Sequence, residues 1–154
     1  MFSNKHVLVA MLVAPVLAIM AWFAVDYFVA ERPHAAQEGA TYKLLAKSNC
    51  RYASGECDLE NAEFELSLRP EMISASSVAL ALSSSHNLDT AVVGFVDAAS
   101  AAPEPMTRTD AVGKEWQVLL SRPDNTDASI RIAVTAQGAT WFAEVPSVWL
   151  EASQ

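Results

Sequence analysis

Hydrophobic residues follow two different patterns along this chain. From Val7 to Val25 the run VLVAMLVAPVLAIMAWFAV contains no charged side chain, whereas beyond residue 40 apolar and polar residues alternate in short segments. A helix of about 19 residues is about 28 Å long, close to the hydrocarbon core of about 30 Å of a bilayer. The first pattern therefore predicts one transmembrane helix, which we place at residues 7–29 in contact with the lipid bilayer.

A cleaved signal peptide is the alternative interpretation of this run. Signal peptides have an apolar region of about 7–15 residues followed by small residues at the cleavage site. Here the run is longer, and Trp22 and Tyr27 lie towards its far end, where aromatic residues favour a membrane interface. Lys5 precedes the run and Asp26 follows it, so we expect residues 1–6 in the cytoplasm. We favour a single-pass anchor in a bacterial cytoplasmic (inner) membrane, with the C-terminal domain in the periplasm.

The alternating segments predict the strands of one domain at residues 41–152, after a spacer at residues 30–40. We expect Pro70 to end the first clear strand and residues 98–114 to be irregular, because they show no period. We expect Trp116–Val134 to form a hairpin. The predicted strands are Glu63–Arg69, Ser77–Ser83, Ala91–Asp97, Glu115–Leu120, Ser129–Thr135 and Thr140–Val145, with Val148–Leu150 as a short last edge strand. Strands at this spacing predict an all-β protein, an immunoglobulin-like antiparallel β-sandwich preceded by the helix.

Charge and motifs narrow the classes of function. The formal net charge is −8, and no stripe of Lys and Arg is present, which argues against a nucleic-acid partner. No Gly-x-Ser-x-Gly motif is present, and the carboxylates between Glu56 and Glu71 fall mainly on the polar face of a strand. We therefore expect no enzymatic activity, no cofactor and no metal site.

Two cysteines, Cys50 and Cys57, are the only ones in the chain. In an oxidising compartment such a close pair is most simply a disulfide, and Ser54-Gly55 between them favours a turn. A redox pair is the first alternative, although such pairs are usually only two residues apart. A metal site is the second, and it needs histidines such as His34 or His86 nearby.

Aromatic residues are dense near the end of the domain. Trp141 belongs to the inward face of a predicted strand, so its neighbour Phe142 lies on the opposite face. An exposed aromatic side chain is a candidate docking site for another protein. We therefore take Phe142 and Trp149 as the candidate docking residues.

An N-terminal anchor, the segment CDLENAEFELSL leading into alternating strands, and TWFAEV near the end of the chain together resemble the FixH-like and YtkA-like proteins. These are small single-pass envelope proteins, and the resemblance implies a role in the assembly of haem-copper oxidases or, more loosely, in copper handling. No metal-binding residue of this chain follows from it.

The sequence thus favours an accessory or assembly protein that acts by protein–protein contact in an inner-membrane complex, such as a respiratory oxidase. The alternative is a small-ligand or copper-binding module of the periplasm. For that alternative Met106 and His86 are the first residues to test, because thioether and imidazole groups suit copper.

Overall fold

The computed structural model describes residues 4–29, 36–96, 102–125 and 127–153. The chain forms two compact units, Met1–His34 and Ala35–Gln154. Most of the predicted spacer, together with His34 and the first part of the predicted irregular segment 98–114, lies outside the described residues.

Helix α1 spans Lys5–Val29 and confirms the predicted helix. Asn4 precedes it, and its side-chain oxygen accepts a hydrogen bond from the backbone N–H of His6 at 3.2 Å, as an N-cap residue does. Among the described residues this is the one helix that is long and apolar enough to cross a membrane, with a mean hydropathy of 2.5 over its most apolar window in Lys5–Tyr27. Pro15 lies inside it, which membrane helices tolerate.

The second unit is a sandwich of two β-sheets. The five-stranded sheet has the order β1-β11-β10-β6-β7 and the six-stranded sheet the order β2-β3-β4-β5-β9-β8. Short 3₁₀ segments occupy Ser48–Arg51 and Val148–Ser153. The strands are β1 Thr41–Lys43, β2 Leu45–Ala46, β3 Cys57–Asn61, β4 Phe64–Ile73, β5 Ser77–Ser84, β6 Thr90–Val96, β7 Glu104–Pro105, β8 Thr107–Arg108, β9 Glu115–Ser121, β10 Ser129–Ala136 and β11 Ala139–Pro146.

The strand order confirms the predicted all-β sandwich. The run β4-β5-β9-β8 faces β6-β10-β11, and this is the arrangement of the strands A-B-E-D and C-F-G in an immunoglobulin constant-type domain. The sandwich is not wholly antiparallel, because β1 pairs with β11 in parallel. A turn at Gln137-Gly138 joins β10 to β11, and both residues have positive φ, as a two-residue hairpin turn of this type requires.

The predicted hairpin Trp116–Val134 is wrong. Strand β9 pairs with β5 in the six-stranded sheet, whereas β10 pairs with β6 and β11 in the five-stranded sheet. The segment between them therefore crosses from one sheet to the other. Alternation along a strand reports which side chains are buried but not which strand lies beside it, so the pattern could not distinguish the two arrangements.

Two further strand predictions are also wrong: the end of one strand and the existence of another. Strand β4 continues past Pro70 to Ile73, and its register with β5 shifts between Pro70 and Met72, so the missing N–H of proline falls at an irregularity in the ladder. The predicted edge strand Val148–Leu150 is instead part of a 3₁₀ segment.

Candidate functional site

The disulfide between Cys50 and Cys57 is present, with both cysteines fully buried. Asn49 holds the loop in place: its Nδ2 donates to Oδ2 of Asp58 at 2.8 Å, and its Oδ1 accepts from the backbone N–H of Asp58 at 3.2 Å. The predicted disulfide is therefore confirmed, and its surroundings are those of a structural crosslink. No group of three or more His, Cys, Asp or Glu side chains in the described part of the chain is placed to hold a metal ion.

Trp149 is not a docking residue, contrary to the sequence prediction. Its side chain is 0% exposed, because the last turn of the chain folds back over the end of the sandwich. Its carbonyl oxygen accepts a hydrogen bond from the N–H of Gly55 at 2.9 Å, which ties this turn to the disulfide loop. The sequence could not show that Trp149 is buried. A strand was expected here, and a strand directs the Trp149 side chain differently from the 3₁₀ segment that the chain forms.

The two residues of the ligand-binding alternative lie in different surroundings. Met106 is a core residue with 6% of its surface exposed, and its N–H donates to the carbonyl oxygen of Ala91. His86 is half-buried, with its ring stacked on Phe64 at 5.4 Å and its Nδ1 2.8 Å from Oγ of Ser85. Neither side chain belongs to a described cluster of metal-ligating groups.

Phe142 lies on the outer face of the five-stranded sheet, as predicted. Its side chain is 37% exposed, while that of Trp141 is 8% exposed and points into the core. Strand pairing sets Phe142 beside Ala133, and Ala133 beside Val92, so one apolar row crosses three strands. Because the side chains of Ala133 and Val92 are smaller than that of Phe142, the surface beside the phenyl ring is low and flat.

Polar rows border this apolar row on both sides. On one side Nη2 of Arg131 lies 2.8 Å from Oε2 of Glu144, an exposed ion pair between β10 and β11. On the other side Thr135 pairs with Thr140 in the register of the two strands, and its Oγ1 is 2.7 Å from that of Thr90. We call this surface the contact face, defined by Val92, Arg131, Ala133, Thr135, Thr140, Phe142 and Glu144.

The contact face carries little of the negative charge of the protein. Lys5 and Arg32 balance Asp26 and Glu31, so the whole formal charge of −8 belongs to the sandwich. On the contact face the single carboxylate is that of Glu144, and it is paired with Arg131. The exposed Lys43 lies beside Phe142 at the edge of this face, in the pairing of β1 with β11. The face therefore presents little net charge to an approaching macromolecule.

The outer face of the six-stranded sheet carries more carboxylates, together with an apolar row of its own in which Met72 and Leu119, both more exposed than Phe142, flank Ala79. Its carboxylates lie along a polar groove of about 350 Å³. The Glu56 carboxylate accepts hydrogen bonds from Arg69 and from Oγ of Ser67, which lower its pKa below the usual 4.5. Hydrogen bonds from Lys47 to Glu60 and Glu65 raise the pKa of that lysine. The groove is lined by Lys47, Glu56, Asp58, Glu65, Leu66, Ser67, Arg69, Ser83, Ser84 and Ser85.

Sequence analysis identified Phe142 but not the residues around it. Ala133 and Val92 are small or common residues in alternating strands, and their common row depends on register, which alternation does not give. The chain is thus a two-sheet β-sandwich preceded by a helix able to cross a membrane, with one flat, nearly neutral outer face. No protein-family model, curated protein or solved structure matches it.

Proposed function

We propose that this chain is a membrane-anchored interaction protein, in which α1 holds the sandwich at the outer surface of a bacterial cytoplasmic membrane and the contact face binds another protein there. It acts as an accessory or assembly factor of a membrane complex and performs no chemistry of its own. The apolar row through Phe142, bordered by the ion pair of Arg131 with Glu144, carries this proposal.

Three features of the contact face support binding to a protein. An exposed aromatic ring flanked by small side chains gives apolar area that a partner can cover without reshaping the sheet. The bordering ion pair and threonines supply a polar rim. The strands of a sheet hold these groups rigidly, so binding costs little conformational freedom.

Site-directed photocrosslinking tests this function. A photoreactive amino acid replaces Phe142 in the full-length chain in its native membrane, and the matched control replaces Leu119, an exposed apolar residue on the outer face of the other sheet. We expect one protein adduct of defined mass at position 142, absent at position 119 and lost when Ala133→Arg places a bulky charge in the apolar row. Equal adducts at both positions, or none at position 142, overturn the proposal.

The compartment is tested separately. We expect a protease added to the outside of intact spheroplasts to degrade the sandwich, because positive charge at Lys5 keeps the N-terminus in the cytoplasm. Degradation only after the membrane is broken contradicts the proposed orientation. Release of the sandwich as a soluble protein without α1 contradicts the anchor.

A further inference from the structure

Strand register makes the contact face complementary to itself. Four pairs of neighbouring residues face outward on β10 and β11, and three of them are complementary: Arg131 beside Glu144, Ala133 beside Phe142, and Thr135 beside Thr140. Each of these three pairs joins groups that attract or fit: a cation with an anion, a small side chain with a large one, and two hydroxyl groups. A surface made of such pairs can meet a copy of itself.

The geometry of a two-fold axis turns these neighbours into contacts between copies. If the axis runs parallel to the strands between β10 and β11, β10 of each copy lies opposite β11 of the other. Arg131 then faces Glu144 of the second copy, and Phe142 covers the low surface at Ala133. Face-to-face sheets about 10 Å apart leave room for these side chains.

We propose that the contact face binds the contact face of a second copy of this chain, so that the anchored protein is a homodimer. This inference rests on the proposed function, since it names the protein that the contact face binds. The charges of the contact face favour this occupant, because Arg131 and Glu144 each meet a group of opposite charge across the axis.

The place where the chain enters the sandwich is consistent with this axis. Gly39 donates its N–H to the carbonyl oxygen of Gly138, so the segment that leads into the sandwich lies beside the β10–β11 turn. An axis parallel to the strands places this end of both copies on the same side of the dimer. Two chains that each carry α1 in one membrane need that arrangement.

The area of the face predicts a weak dimer in free solution. Three strands about 4.8 Å apart and up to eight residues long cover about 400 Å² per copy, whereas a specific interface needs about 500 Å² per copy, or about 1,000 Å² in total. Confinement of both copies to one membrane raises their effective concentration and offsets this weakness. The full-length chain in its membrane is therefore the material to test.

Thiol crosslinking tests the dimer. Ala133→Cys adds one free thiol next to the proposed axis, since both native cysteines are held in the disulfide. The matched control is Ala79→Cys, another half-buried alanine on the outer face of the opposite sheet. With a short bifunctional thiol reagent we expect a product of twice the chain mass from Ala133→Cys and at most about a tenth as much from Ala79→Cys, because the proposed axis keeps the outer faces of the two six-stranded sheets apart.

Charge reversal within the Ala133→Cys background tests the axis itself. Arg131→Glu gives a copy with two carboxylates in this row, and Glu144→Arg gives one with two cations. Each variant alone should crosslink to itself roughly tenfold less, because like charges then face each other across the axis. Co-expression of the two variants, with different tags, should restore the mixed product.

The outcomes separate this inference from the proposed function. Equal crosslinking from Ala79→Cys, or no effect of either charge reversal, overturns the dimer. A product in which Ala133→Cys joins only a different protein overturns the dimer and leaves the contact face as a binding surface. No product with any protein overturns both. Dimer yields that follow the two charge reversals and their recombination establish the homodimer.

Discussion

The rings of Phe64 and Trp141 lie face to face, with 4.3 Å between their centroids and 3° between their planes. Phe64 belongs to the six-stranded sheet and Trp141 to the five-stranded sheet, so this contact joins the two layers of the sandwich. Tyr42 stacks on the other side of Trp141, and His86 on the other side of Phe64. Four rings thus form one continuous stack across one end of the core.

Removing Phe64, one of the two central rings of this stack, should be strongly destabilising. We expect Phe64→Ala to lower the free energy of unfolding by about 3–5 kcal/mol, because it leaves a cavity between the sheets. Phe142→Ala is the control and should cost about 1 kcal/mol or less, since its ring is part of the surface. Urea unfolding of the solubilised chain, followed by circular dichroism, measures both. Equal losses for the two variants contradict the stack as an element of the core.

Trp149 tests the placement of the last turn. Trp149→Ala should cost about 3–5 kcal/mol because the side chain is fully buried. Its indole N–H has no hydrogen-bond partner in the described part of the chain, so Trp149→Phe removes no such bond and should cost no more than about 2 kcal/mol. The same unfolding measurement distinguishes the variants. If Trp149→Ala leaves the free energy of unfolding unchanged, the side chain of Trp149 is not buried.

The disulfide predicts the behaviour of thiols. The native chain should show no reactive thiol, and two should form only after reduction, because Cys50 and Cys57 are bonded and buried. The double variant Cys50→Ala with Cys57→Ala should lose about 2 kcal/mol of stability, as expected for a closed loop of about eight residues. Thiol titration before and after reduction checks the first part. Reactive thiols in the oxidised native chain contradict it.

Glu56 predicts a small pH dependence of stability. Hydrogen bonds from Arg69 and Ser67 lower its folded pKa below the usual 4.5, so it contributes stability above about pH 4.5 and loses it as pH falls through the folded value. The ion pair is largely exposed, which limits this contribution to about 1 kcal/mol or less. Glu56→Gln should flatten the stability profile below about pH 4.5, and Arg69→Gln should flatten it too, because it removes the main hydrogen-bond donor to Glu56. An unchanged profile in Arg69→Gln contradicts the role of Arg69.

The sequence predicted the elements of this fold better than their arrangement. Inward positions such as Leu66, Ile132 and Val134 are plain from alternation, because burial of one face imposes a period of two. The strands β1 and β2 are too short to show a period, and pairing partners such as β9 with β5 depend on contacts between distant residues. The same holds for the candidate site: alternation predicted one exposed residue but not the residues that lie beside it. Phe142 was predicted from the strand pattern, but its neighbours required the register.

The parallel pairing of β1 with β11 bears on when the sandwich can be completed. Tyr42 lies beside Trp141, and the N–H of Gly55 is bonded to the carbonyl oxygen of Trp149, so the first segments of the domain find their partners in its last ones. Such long-range contacts form only after the final strand has been synthesised. A nascent chain therefore exposes one side of its core until β11 and Trp149 have been synthesised, and removal of these residues leaves the sandwich open.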